Sequence, residues 1–195
     1  AHNVFKDKLP LYRFALTNAK SVAVGEAVNK NLKEDVGITD SRVIYNGVVL
    51  KETDEQVDEI TSYGGIKLGC IARLSEQKGL TYLLDAMSLL TVKDIRLFIV
   101  GDGELRNELE NKVKELYLQD SVTFLGYSKD IAECINSFDF CVLPSVFEGF
   151  GLVAIEAFMN GKTIVATDIP GLNEVVTKEN GILVPAKDPA ALASA

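Results

Sequence analysis

The 195-residue sequence holds one histidine, His2, and only three cysteines, Cys70, Cys134 and Cys141. A single imidazole excludes a metal site built from several histidines, and the cysteines show no metal-ligand spacing. An odd set of thiols among apolar neighbours, without close pairing, reads as reduced core residues of a cytoplasmic protein. There is no Asp-x-Asp pair to hold a divalent ion against a diphosphate. A lysine–arginine stripe is missing too: 20 basic residues face 28 acidic ones, for a net charge of −8. That argues against a nucleic-acid partner. No apolar run approaches the length of a membrane-spanning helix, and no signal peptide is visible. Peripheral membrane contact stays open.

What is present is ordinary globular composition, 47% hydrophobic and 25% charged. The length allows one domain, or one domain with a piece of another. From Gly65 onward, strand and helix patterns alternate. Strands are expected over Ile66–Ala72, Arg96–Val100, Val122–Leu125, Phe138–Leu143, Thr163–Ala166 and Ile182–Val184. Helices are expected over Leu80–Leu90, Leu105–Leu118, Lys129–Ser137, Phe150–Asn160 and Gly171–Val176, and another starts at Pro189. This alternation predicts an α/β fold, a Rossmann-like parallel sheet with helices on both faces. Ligands of such sheets bind beyond the carboxyl ends of the strands. Arg73, Gly101, Gly126, Ser145 and Asp168 fall there, one after each successive strand. The front of the chain predicts a helix over Leu11–Ala19, strands over Ser21–Val24 and Arg42–Tyr45, and a helix over Glu26–Val36 closed by Gly37. Lys51–Tyr63 reads as a polar connector with a helical turn.

The stretch Pro144-Ser145-Val146-Phe147-Glu148-Gly149-Phe150-Gly151-Leu152 carries the chemistry. It links a buried strand to a helix whose apolar face holds Leu152, Ile155 and Met159. Glycines let the backbone approach a ligand, and the free N–H groups of a helix start suit a phosphate. Glu148 precedes the helix and Glu156 lies within it. With a helix start near Phe150, Glu156 lies about 9 Å further on. Two such carboxylates suit an elongated ligand with a central diphosphate and a hydroxyl-rich sugar at each end.

Glu-Gly-Phe-Gly followed by a second Glu, with seven residues between the two acids, resembles the signature of the retaining group-1 glycosyltransferases of GT-B fold. Ile71-Ala72-Arg73-Leu74-Ser75-Glu76-Gln77-Lys78 resembles that family's diphosphate-binding arginine–lysine pair. A guanidinium fork and an ammonium point charge fit that task. The resemblance implies that Arg73, Lys78 and Glu148 carry the reaction, with Glu148 positioning the donor sugar. It implies donor contacts from Gly101, Gly103, Gly126, Tyr127, Ser145, Gly149, Phe150, Gly151 and Leu152, and a ribose contact from Glu156. Val100-Gly101-Asp102-Gly103-Glu104 invites a dinucleotide reading, but Arg106 stands where the third glycine belongs.

Beyond the site, the resemblance implies a C-terminal donor domain over residues 46–195, truncated at its end. A remnant of the N-terminal acceptor domain and its crossover would occupy 1–45. Ala1 to Pro10 does not read as a natural start. The implied activity is transfer of a hexose-type sugar, with retention, from a UDP- or GDP-sugar to a carbohydrate or lipid-linked acceptor. The setting would be polysaccharide or glycolipid biosynthesis in the cytoplasm or at the inner membrane face. No cofactor and no metal are implied. A sugar-nucleotide epimerase of the same fold and a non-catalytic nucleotide-sugar module are the alternatives. This stretch alone is expected to bind donor weakly and transfer nothing. Its front surface, with Phe14, Val22 and Val24, should fold back on the domain or pair with a second copy. Gly25 replaces the serine usual at the start of its helix, Glu174 reads as a capping or a solvated acid, and His2 as a frayed terminus.

Overall fold

The computed structural model describes residues 19–49, 53–92 and 94–195. At the front, β1 (Ser21–Ala23) and β2 (Ser41–Val43) pair in parallel. Between them α1 (Glu26–Asn31) passes into a wider helical turn over Leu32–Val36, which Gly37 ends. The helix expected over Leu11–Ala19, and Phe14 with it, falls almost wholly outside the described residues. The polar connector contains α2 (Asp58–Thr61). Asp54, Glu55, Asp58 and Glu59 are exposed as expected, yet Ile60 is fully buried in the main core. The Val57 amide donates to Ser137 Oγ at 2.8 Å, so the connector is docked on the domain.

The main sheet has six parallel strands: β3 (Ile66–Ile71), β4 (Ile95–Val100), β5 (Val122–Gly126), β6 (Phe140–Leu143), β7 (Ile164–Thr167) and β8 (Gly181–Val184). Their order is β5-β4-β3-β6-β7-β8. Helices α3 (Leu80–Leu89), α4 (Arg106–Glu115), α5 (Ile131–Ser137), α6 (Leu152–Met159) and α7 (Pro189–Ser194) cover its two faces. Alternation along a strand sends successive side chains to opposite faces. Leu97 and Ile99 of β4 therefore join Leu80, Leu84 and Leu109 on one side. Phe98 and Val100 join Ile60, Ile135, Ala154 and Ala157 on the other. Burial on both faces explains why β4 reads as a continuous apolar run.

Each expected strand of this sheet is present to within two residues. Two helical readings need correction. Residues 171–176 form successive turns, not a helix. The Leu172 and Asn173 amides both donate to the Ile169 carbonyl, and Val175 and Val176 both donate to the Leu172 carbonyl. Gly171, at φ +93°, breaks the run before a helical nucleus can propagate. The α6 helix starts at Leu152, because Gly151 sits in the left-handed region at φ +76°. Only four residues, about 6 Å of rise, then separate its first residue from Glu156.

All three cysteines are free and buried, as their sequence surroundings predict. Burial pushes the Cys70 and Cys141 thiols up to about 12, and raises Cys134 as well. Thiolates are the reactive form, so none should be labelled by iodoacetamide at about pH 8 while the protein is folded. Denaturation should release all three; mass spectrometry of the labelled protein reads both outcomes.

Candidate functional site

The strand order reverses between β3 and β6, which are neighbours in the sheet but far apart in sequence. From there the chain winds outward in both directions, leaving a crevice beyond the carboxyl ends of these two strands. The loop after β3 forms a tight turn over Glu76–Lys78 that ends at Gly79, φ +66°. A Cβ at Gly79 would collide with the Pro144 carbonyl, so the backbones of the two loops approach as only glycine allows. The Gln77 carbonyl accepts from the Val146 amide at 2.8 Å and from the Phe147 amide at 3.3 Å. These contacts join the β3 loop to the β6 loop.

That joint brings Lys78 to Glu148. Lys78 Nζ donates to Glu148 Oε2 at 2.5 Å, with side-chain exposures of 22% and 18%. The other carboxylate oxygen accepts from the Gly149 amide at 3.1 Å. Both residues line a cleft of about 360 Å³ together with Ser145, Gly149, Phe150, Gly151 and Leu152. Seven of the residues anticipated from sequence thus meet in one cavity, at the start of α6. The floor comes from Ile71, Ala72, Leu143 and Pro144 at the ends of β3 and β6.

Other anticipated residues lie outside the cavity lining. Arg73 is 73% exposed and places Nη2 3.4 Å from Glu104 Oε2. Gly101 and Gly103 pack against the backbone of Ala72 and Leu74. The Leu74 amide donates to the Asp102 carbonyl, and the Leu105 amide to the Leu74 carbonyl, both at 3.0 Å. The glycine turn therefore supports the Arg73 loop. Gly126 accepts at its carbonyl from the Gly101 amide at 2.7 Å, and Tyr127 beyond it is 76% exposed. The Arg106 guanidinium covers the Phe124 ring at 4.8 Å. Glu156 is half-buried on α6, where burial raises its carboxyl above the ordinary value of 4.5. Among the described residues its carboxylate has no hydrogen-bond or ion-pair partner.

Of the front surface expected to fold back, Val24 does reach the domain and Val22 stays exposed, but sequence reasoning missed that this segment walls the cleft. Val24, just after β1, and Asn46, after β2, both line the cavity. Tyr45 stacks on Phe150 with ring centroids 5.3 Å apart and planes inclined by 28°. The available signal was Tyr45-Asn46-Gly47 directly after a short strand, a pattern that reads as a crossing between units. Nothing local shows that it returns to the cleft.

Residues 65–195 match the model of the family described as glycosyl transferases, group 1. The chain belongs to the group 1 glycosyltransferases. An uncharacterised glycosyltransferase of Methanocaldococcus jannaschii is 35% identical over 85% of this chain and 48% of its own length. The lipopolysaccharide core biosynthesis mannosyltransferase of Rhizobium meliloti is 29% identical over 78% of this chain and 48% of its own. Among solved structures, Anabaena HepE in complex with UDP and glucose superposes with a TM-score of 0.81. It is 27% identical, over 90% of this chain and 52% of that one. The chain spans about half the length of these glycosyltransferases.

Glu156 supplies a pH test of the site. Its raised carboxyl means that ionisation costs more in the folded state than in the unfolded one. That cost is absent below the unfolded value and present once pH exceeds the folded one. Glu156→Gln should therefore raise the thermal midpoint of the ligand-free protein at about pH 7, with the gain fading below about pH 4. Thermal melts across that range check the sign.

Proposed function

We propose that the full-length protein transfers a hexose-type sugar from a UDP- or GDP-sugar to a carbohydrate or lipid-linked acceptor, with retention. The observation that carries this reading is the Lys78–Glu148 pair at the strand reversal, facing the start of α6. Lys78 and the free amides at the start of α6 form a positive face for a diphosphate. They would stabilise it as it leaves the sugar carbon. Arg73, on the same loop, would exchange Glu104 for phosphate oxygens, an equal or better partner for a guanidinium. Glu148, held by Lys78 and the Gly149 amide, offers its remaining lone pairs to sugar hydroxyls. Its role is to position the sugar, not to attack it. The unpartnered Glu156 carboxylate would take the ribose hydroxyls, and the turns at Gly101, Gly103, Gly126 and Tyr127 would lie beside the nucleoside.

UDP and glucose bound to Anabaena HepE support a nucleotide-sugar donor, and the Rhizobium meliloti relative supports a glycolipid or polysaccharide product. Residues 46–195 would form the donor domain, and the front unit would belong to the acceptor domain. Titration of the full-length protein with UDP-, GDP- and ADP-sugars identifies the donor. Lys78→Ala should weaken nucleoside-diphosphate binding by about 10- to 150-fold, since a charge-assisted contact contributes roughly 1.5–3 kcal/mol. Glu148→Gln should mainly remove the preference for the sugar nucleotide over the bare diphosphate. Unchanged diphosphate affinity in Lys78→Ala would sink the assignment, as would an equal loss of both ligands in Glu148→Gln.

A further inference from the structure

Glu174 occupies a turn with no place in the chemistry above, and its carboxylate reaches 148 residues back along the chain. Oε2 accepts from the Glu26 amide and Oε1 from the Ala27 amide, each at 2.7 Å. These are the first two free N–H groups of α1, which has no side-chain cap of its own because residue 25 is glycine. A carboxylate there also meets the positive end of the helix dipole. Room for it depends on that glycine. A Cβ at position 25 would stand 3.0 and 3.3 Å from the two Glu174 oxygens and 3.3 Å from the Phe150 ring.

The other side of the same turn is seated on the cleft loop. Gly171 packs so closely on the Glu148 carbonyl and the Gly149 backbone that a side chain could not fit. A Cβ at Gly151 would come within 2.6 Å of Leu172 Cδ2. Phe150, between these two glycine contacts, stacks on Tyr45 of the front unit. The turn over residues 170–175 therefore touches both walls of the cleft, the Glu148–Gly151 loop directly and the Val24–Asn46 wall through Glu174 and α1.

We propose that Glu174 is a positioning residue, a latch that holds the front unit, and with it Val24 and Asn46, in register over the Lys78–Glu148 pair. The inference rests on the donor-site reading of that cleft. A latch of this kind contributes by pre-organising the cavity, so that bound sugar nucleotide does not have to assemble its own second wall. A cap that only stabilised α1 would have no such effect on the ligand.

The two roles separate in the full-length protein. Glu174→Ala is expected to raise the Kd for the sugar nucleotide about tenfold and to speed amide hydrogen exchange at Ala27 and at Gly149, whose amide is bonded to Glu148. Glu174→Gln keeps one acceptor oxygen and should fall between it and the unaltered protein. The double variant Gly25→Ser, Glu174→Ala gives α1 a cap from within its own unit, where the carboxylate no longer crowds the new Cβ and the Phe150 ring 3.3 Å away gives by a few tenths of an ångström. It should restore protection at Ala27 while affinity and the Gly149 amide stay impaired. Affinity recovered by the double variant, or unchanged in Glu174→Ala, overturns the latch. The exchange measurement needs no ligand. If the unaltered protein binds no sugar nucleotide, the donor reading fails on its own account. Exchange then decides the latch: protection at Gly149 lost in Glu174→Ala supports it, and protection kept overturns it.

Discussion

The reversal of winding between β3 and β6 is the constraint on which the site depends. Where strands wind outward in opposite directions, their following loops diverge and leave a crevice that no crossover helix fills. In this chain the two loops nevertheless touch at one point. Gly79 lies under the Pro144 carbonyl, and Gln77 bonds to the amides after Ser145. That contact sets where the lysine of one loop meets the carboxylate of the other. The site is built from backbone meeting backbone, and the charged side chains follow from it.

The Lys78–Glu148 pair has a cost as well as a use. Two partly desolvated charges at close range attract strongly, but each has surrendered hydration, so such a pair adds little net stability. What it secures is position: the lysine of one loop and the carboxylate of the other are held against each other at the cleft. An arriving anion then finds an ammonium already in place and a carboxylate whose partner can be shared. Glu156 shows the opposite arrangement, a half-buried carboxylate without a partner among the described residues. A group left in that state, at a cost to the folded protein, is more informative about ligand than any exposed acid on the surface.

Much of this was legible in the sequence. Apolar runs bounded by turn residues fixed six strands, because burial on both faces leaves no room for polar interruptions. The meeting of Glu148 with Lys78 was readable because both follow strand ends at one sheet edge, whereas Glu156 lies within α6 and outside the cavity lining. Three features were not legible. The turns at 171–176 carry helical-looking residues, and only the conformation of Gly171 reveals otherwise. Arg73 was expected in the cleft, yet it lies against Glu104, since an exposed guanidinium takes the carboxylate within reach. The front wall depends on contacts between residues far apart in sequence, such as Glu174 with Glu26 and Tyr45 with Phe150. No local pattern encodes a meeting of that kind.

The pairing of β3 with β6 also has a consequence for how the protein assembles. Lys67 and Asp139, bonded at this junction through backbone and side chain, are 72 residues apart. Each outward pair, β3 with β4 or β6 with β7, closes a much shorter loop. Loop closure grows more costly with length, and non-local pairings form late in folding. The two halves of the sheet can therefore gain structure before they meet, and the crevice exists only after the last junction closes. A mutation that slows this junction would delay the appearance of a binding-competent site while leaving most of the secondary structure to form on time.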